Sequence, residues 1–182
     1  MKNLLYLLIV FYEFGCSGAQ KSFKKEKYFS IDSLITAQIS LLELNQNVLT
    51  KTIQIDENIE TQLLSAQDID WQNELKIFSL LELNKSIFIG SLDKKTELKS
   101  TFYLPKKNMK FPFKFLKITK SEGKLKSING YYLDDKAAVI YISEKSFKMN
   151  FNEGLLTNFE ILGSQKMIFT DDTKFKIKGT IN

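Results

Sequence analysis

The 182-residue chain contains no histidine and no arginine, a single cysteine, two prolines and eight scattered glycines. Each scarcity narrows what the protein can do. Without histidine there is no residue of the usual general-base type, no Ser-His-Asp triad and none of the commonest zinc ligand. Without arginine every basic residue is a lysine, a point charge lacking the planar fork that holds phosphate or guanine bidentately. The net charge of +5 is therefore no argument for a nucleic-acid partner, and none is expected. One cysteine cannot form an internal disulfide, and no imidazole exists to activate it as a nucleophile. The glycines make neither G-x-x-x-x-G-K nor G-x-G-x-x-G, so no phosphate-cradling loop is present. No cofactor is expected and catalysis is disfavoured.

What the chain does contain begins with its first sixteen residues. Lys2 supplies a positive start, Leu4 to Tyr12 is an unbroken apolar run, and Gly15 precedes Cys16. This order of charge, apolar centre and small residue is that of a secretory signal. The run is shorter than the ~20 residues a membrane-spanning helix needs. A lone cysteine after a small residue resembles a bacterial lipoprotein signal, in which that cysteine becomes the lipid-bearing first residue. Glu13 departs from the pattern, which has Leu or a similar residue there. The competing reading is an ordinary secretory signal with an incidental thiol. The expected organisation is a signal peptide over 1–15, a lipid-anchored Lys-rich tether over 16–27 and one domain over 28–182. The tether's Lys21, Lys24, Lys25 and Lys27 could meet anionic head groups, but a solvated linker explains them as well.

The domain is rich in aromatics, with fifteen Phe and seven Tyr in the whole chain, which favours strands. Ser30 to Asn45 reads as a helix capped by Ser30 or Asp32, with Ile31, Leu34, Ile35, Ile39 and Leu42 on one stripe. Ala37, Gln38 and Ser40 are expected on its remaining surface. Val48–Ile55 and Ile59–Leu64 form a hairpin around Asp56-Glu57-Asn58. Asp68 and Asp70 can cap a second helix whose Trp71, Leu75, Phe78 and Leu81 make a buried stripe.

From Ser86 onward the pattern is all strand. Ile87–Gly90 reads as a short strand, and Glu97–Leu104 as a longer one ending at Pro105. A meander follows from Phe113. Its turns are expected at Ser121-Glu122-Gly123, Asp134-Asp135, Asn152-Glu153-Gly154 and Thr170-Asp171-Asp172. Ala137–Phe151 reads as one strand with a break near Glu144, and Leu155–Phe169 as another with Gly163 at a bulge or bend. In the last strand Phe175, Ile177 and Ile181 alternate with lysines, so one face is buried and one wet. Successive hairpins make antiparallel neighbours. The expected fold is α+β: a curved antiparallel sheet of about seven or eight strands packed against two amphipathic helices.

Candidate sites are few. Asp134-Asp135 and Asp171-Asp172 could offer calcium ligands or an acid–base couple, but they lack the spacing of a calcium loop and fit turn chemistry; no metal is assigned. Lys110-Phe111-Pro112-Phe113-Lys114-Phe115 interleaves lysine with aromatics. A strand with Phe113 and Phe115 on one face accounts for most of it. Phe111 and Lys110 remain as candidates for ligand or partner contact. Trp71 is a third candidate, set against its simpler place in the core.

With this layout the chain resembles small uncharacterised lipoproteins of Bacteroidota. The likeness rests on Tyr28-Phe29 after a Lys-rich tether, the hairpin that follows, Asp70-Trp71-Gln72-Asn73-Glu74-Leu75 opening the second helix, and the terminal meander. It implies an envelope location and carries over no site residue. No acidic run follows Cys16, which in such bacteria favours the periplasmic face of the outer membrane over surface display. Two functions follow as expectations. One is a non-catalytic binding or structural module, lipid-anchored at Cys16, that serves an envelope protein. The other is a periplasmic carrier holding a lipid or acyl chain in a cavity between sheet and helices, a fold-level analogy.

Overall fold

The structure is a computed structural model that describes residues 28–137, 141–167 and 171–182. The expected signal, Cys16 and the tether lie outside the described residues.

Helix α1 spans Ile31–Leu44. Ser30 is its N-cap: its hydroxyl oxygen accepts from the Ser33 N–H at 3.1 Å, satisfying one of the four donors a helix start leaves free. Ile31, Ile35 and Leu42 are buried with Leu34 and Ile39 at their flanks, the stripe the periodicity predicts. Gln38 departs from it. Expected on the open surface, it is buried.

Strands β1 (Leu49–Ile55) and β2 (Asn58–Leu64) form the expected hairpin. Helix α2 is only Trp71–Leu75, capped by the Asp70 carboxylate on the Asn73 N–H, and it passes directly into a 3-10 helix over Lys76–Leu81. The change of pitch suits the spacing. Leu75, Phe78 and Leu81 are three apart, so three residues per turn stacks them in line, and all three are fully buried.

Two expectations in the next segment are overturned. Ile87–Gly90 is not a strand; Ser86–Phe88 is a single 3-10 turn. The strand expected over Glu97–Leu104 is instead the end of one hairpin arm and most of another, β3 (Leu92–Glu97) and β4 (Ser100–Pro105). The reversal falls on Leu98, at φ 48°. Leu-Lys is not turn chemistry, so nothing in the sequence marks it.

The meander is β5 (Phe113–Ser121), β6 (Lys124–Ala137), β7 (Tyr141–Asn152), β8 (Leu155–Met167) and β9 (Thr173–Ile181). Gly123 and Gly154 close two of its tight turns at φ 77° and 87°, where a side chain would be strained. Asp134-Asp135 is not a turn: β6 runs through it, with Asp134 paired to Ser143 and an irregularity just after. β7 shows no break at Glu144, which pairs with Leu133 and Ser164. Nor is Gly163 a bulge. It pairs in register with Lys145 and Phe175, and a Cβ there would lie 2.3 Å from the Phe175 ring. Gly179 bears the same relation to Phe159. Each glycine makes room for the aromatic opposite it.

Among the described residues nine strands form one antiparallel sheet in the order β2-β1-β9-β8-β7-β6-β5-β4-β3. It is curved and does not close. The N-terminal hairpin thus joins the last strand, where Val48 and Asn182 exchange both backbone hydrogen bonds. The helices lie on the inner face. Between the two layers Phe78 meets Phe147 and Phe159, with ring centroids 5.7 and 5.8 Å apart. The outer face bears no second layer among the described residues and stays open to solvent.

Candidate functional site

The residues expected to contact a ligand separate into two places. Trp71 is 2 % exposed; it opens α2 against the core and presents no surface. Phe111 is half-buried, its ring edge-on to Phe88 at 5.1 Å, and Phe88 in turn packs on Phe113. It is a flap over the core margin, not the exposed contact expected. Lys110 is exposed, and with Phe111, Pro112, Lys114 and Asp135 it borders a hollow of about 530 Å³. Phe113 and Phe115 do not share a face. A register shift between them turns Phe113 into the core, while Phe115 stacks on Tyr131 outside at 6.2 Å.

A second hollow, of about 460 Å³, lies across β7, β8, β9 and the β1 end. Its outer-face lining includes Glu144, Leu162, Ser164, Lys174, Lys176 and Asp56. The sheet register assembles it: Glu144 stands beside Ser164, Ser164 beside Lys174, and Leu162 beside Lys176. Asp56 is held in place by its own backbone and side chain, which exchange hydrogen bonds with Lys174 at 2.9 Å each. Glu144 reaches Tyr131, whose phenol is raised above its ordinary pKa by burial, then by the Glu144 charge and their hydrogen bond. Lys176 pairs with Glu160 at 3.0 Å. The exposed Leu162 is thus flanked by side chains of both signs of charge. Long-range pairing brings these residues together, so no local motif announces them.

The most organised polar cluster inside the protein is a buried carboxylate, Glu82. It accepts hydrogen bonds from the Ser30 hydroxyl (3.1 Å), the Asp32 N–H (2.8 Å), and the Asn84 N–H and side-chain amide (2.7 Å each). Negative charge at a helix N-terminus is favourable, and here it comes from fifty residues away. Burial works to raise the Glu82 pKa, but the four donors together outweigh it and hold the group below the ordinary 4.5. Neighbouring Asp32 is raised by burial, then by the Glu82 charge, with Lys85 opposing.

The cluster is therefore an architectural clamp with a pH signature. A carboxylate whose folded pKa is depressed contributes stability above its unfolded value, lost as pH falls through the folded one. Glu82→Gln is expected to cost about 2 kcal/mol at neutral pH, since the bonds lose their charge assistance and the amide nitrogen faces the two donors that one carboxylate oxygen accepted. The gap from the native protein should narrow well below pH 4.5. Urea melts at the two pH values check this; a gap independent of pH would remove the assigned role.

Among the described residues no three His, Cys, Asp or Glu side chains gather as a metal site requires. No helix there is long and apolar enough to cross a membrane. No family model matches the chain, and neither a curated protein nor a solved structure matches it.

Proposed function

We propose that this protein is a non-catalytic binding module of the bacterial cell envelope, anchored by lipid on Cys16 to the periplasmic face of the outer membrane. In this reading it receives an envelope protein on its open sheet face. The observation that carries it is the contrast between the two faces. The interior, where a carrier would need a cavity, is filled by fully buried Trp71, Phe78, Phe113, Phe147 and Phe159. The outer face is uncovered among the described residues and hollowed beside Leu162 and Lys176. A lipid or acyl-chain carrier is the second reading, and the packed interior weighs against it.

The anchor is tested by labelling the full chain with radioactive palmitate in an envelope-competent bacterium. The native chain is expected to take up label and sediment with membranes, and Cys16→Ala to do neither. Equal labelling of the two would dispose of the anchor. Native mass spectrometry of the Cys16→Ser chain separates the two functional readings. A bare mass supports the module, whereas a lipid-sized adduct lost on denaturation supports the carrier.

A further inference from the structure

Among the described residues the sheet has two unpaired edges, and they are unlike. β3 carries Asp93, Lys94, Lys95 and Glu97, the kind of charge that keeps an edge from pairing. Pairing two copies of β3 about its midpoint would set Lys94 against Lys95. β2, with the sequence Asn58-Ile59-Glu60-Thr61-Gln62-Leu63-Leu64, has a single charge. Its Ile59 and Leu63 are 65 % and 74 % exposed.

The direction of the backbone groups on this edge follows from the ladder. Val48 and Asn182 exchange hydrogen bonds of 3.0 and 3.1 Å, and the Asp56 N–H donates to the Lys174 carbonyl at 2.9 Å. Bonding alternates residue by residue along an antiparallel pair. The even-numbered residues of β1 therefore face β9 and the odd-numbered ones face β2. Those odd residues oppose Asn58, Glu60, Gln62 and Leu64. The N–H and C=O of Ile59, Thr61 and Leu63 consequently point off the sheet.

We propose that β2 pairs with β2 of a second copy of this chain, antiparallel and centred on Thr61, joining two nine-stranded sheets about a twofold axis. In that register Ile59 opposes Leu63 of the second copy, Thr61 opposes its counterpart and Glu60 opposes Gln62. Every outward N–H then meets an outward C=O. Apolar side chains meet apolar ones, a favourable cross-strand pairing. The carboxylate meets an amide donor it already reaches within its own chain, where Gln62 Nε2 lies 2.6 Å from Glu60 Oε1. Sliding one strand by two residues either sets Glu60 against Glu60 or sets Glu60 against Leu64 and strands Ile59 beyond the end. The match specifies both the partner and the register, as an isologous contact requires. It does not depend on the lipid anchor.

The test uses the 182-residue chain with Cys16→Ser, which removes the only thiol. Thr61→Cys then introduces one at the dyad. A hydrogen-bonded antiparallel pair holds its Cα atoms about 5.5 Å apart, within disulfide range, so oxidation is expected to give a covalent dimer. Lys95→Cys on the opposite edge is expected to give no covalent dimer. Sedimentation equilibrium of the Cys16→Ser chain should show a concentration-dependent dimer. Ile59→Lys with Leu63→Lys should raise its Kd at least about tenfold; circular dichroism melts verify that both chains are equally folded. The proposal is overturned by a monomer at every concentration, by a dimer indifferent to the paired lysines, or by Thr61→Cys cross-linking no faster than Lys95→Cys.

Discussion

Replacing Phe78 with alanine is expected to destabilise the protein by about 3–5 kcal/mol, the range for emptying an aromatic site in a packed core. Phe78 is fully buried in the 3-10 segment and lies against Phe147 of β7 and Phe159 of β8. Phe159 in turn occupies the space left by Gly179 on β9. One ring thus connects the helical layer to three central strands. Sheet backbone cannot close in on the void, because its spacing is set by the ladder. For a chain of this size such a loss lowers Tm by roughly 10 °C. Leu98→Ala, at a fully exposed turn residue, provides the contrast and should change little. Urea denaturation of the three proteins decides it; a Phe78→Ala cost below about 1 kcal/mol would mean that this contact does not hold the layers together.

Gln38→Leu is the second large effect, about 2–4 kcal/mol at nearly constant volume. Gln38 Nε2 donates to the Gly154 carbonyl at 2.9 Å, and its Oε1 accepts from the Leu156 N–H at 2.7 Å. The side chain thereby completes the backbone of the β7–β8 hairpin from the middle of α1. Leucine keeps the burial but leaves a donor and an acceptor without partners, and the donor is fully buried at Leu156. The cost is the desolvation of those two groups, not the mean worth of a hydrogen bond. Faster amide exchange at Leu156 than elsewhere on β8 would show that the loss is local. Uniform exchange with unchanged stability would show instead that water reaches the turn.

These two residues also mark how far the sequence could be read. Phe78 lies on a stripe that its own neighbours declare: Trp71, Leu75, Phe78 and Leu81 are apolar at helical steps, and burial of all four follows from that spacing. The alternation of Phe175 and Ile177 with lysines declared a sheet with one wet face in the same way. Capping chemistry marked both helix starts, at Ser30 or Asp32 and at Asp68 or Asp70, and the structure takes Ser30 and Asp70. Period and local chemistry are properties of neighbouring residues, so they survive without coordinates. The α+β class and the antiparallel meander follow from them.

The remainder required tertiary structure because its causes are distant in the chain. Gln38 has the polarity of a surface residue and is buried only because a hairpin 116 residues away offers it a carbonyl. Glu82 looked like any charged residue until the start of α1 supplied two of its four donors, the Ser30 hydroxyl and the Asp32 N–H. Asp134 looked like a turn residue, yet strand pairing with Ser143 overrode that local preference. The hollow at Leu162 and Lys176, the join of β1 to β9, and the outward backbone of Thr61 all arise from sheet order and register. Alternation specifies which face a residue takes, while only closure of the long-range ladder decides which residues stand beside it and which strand is left at the edge.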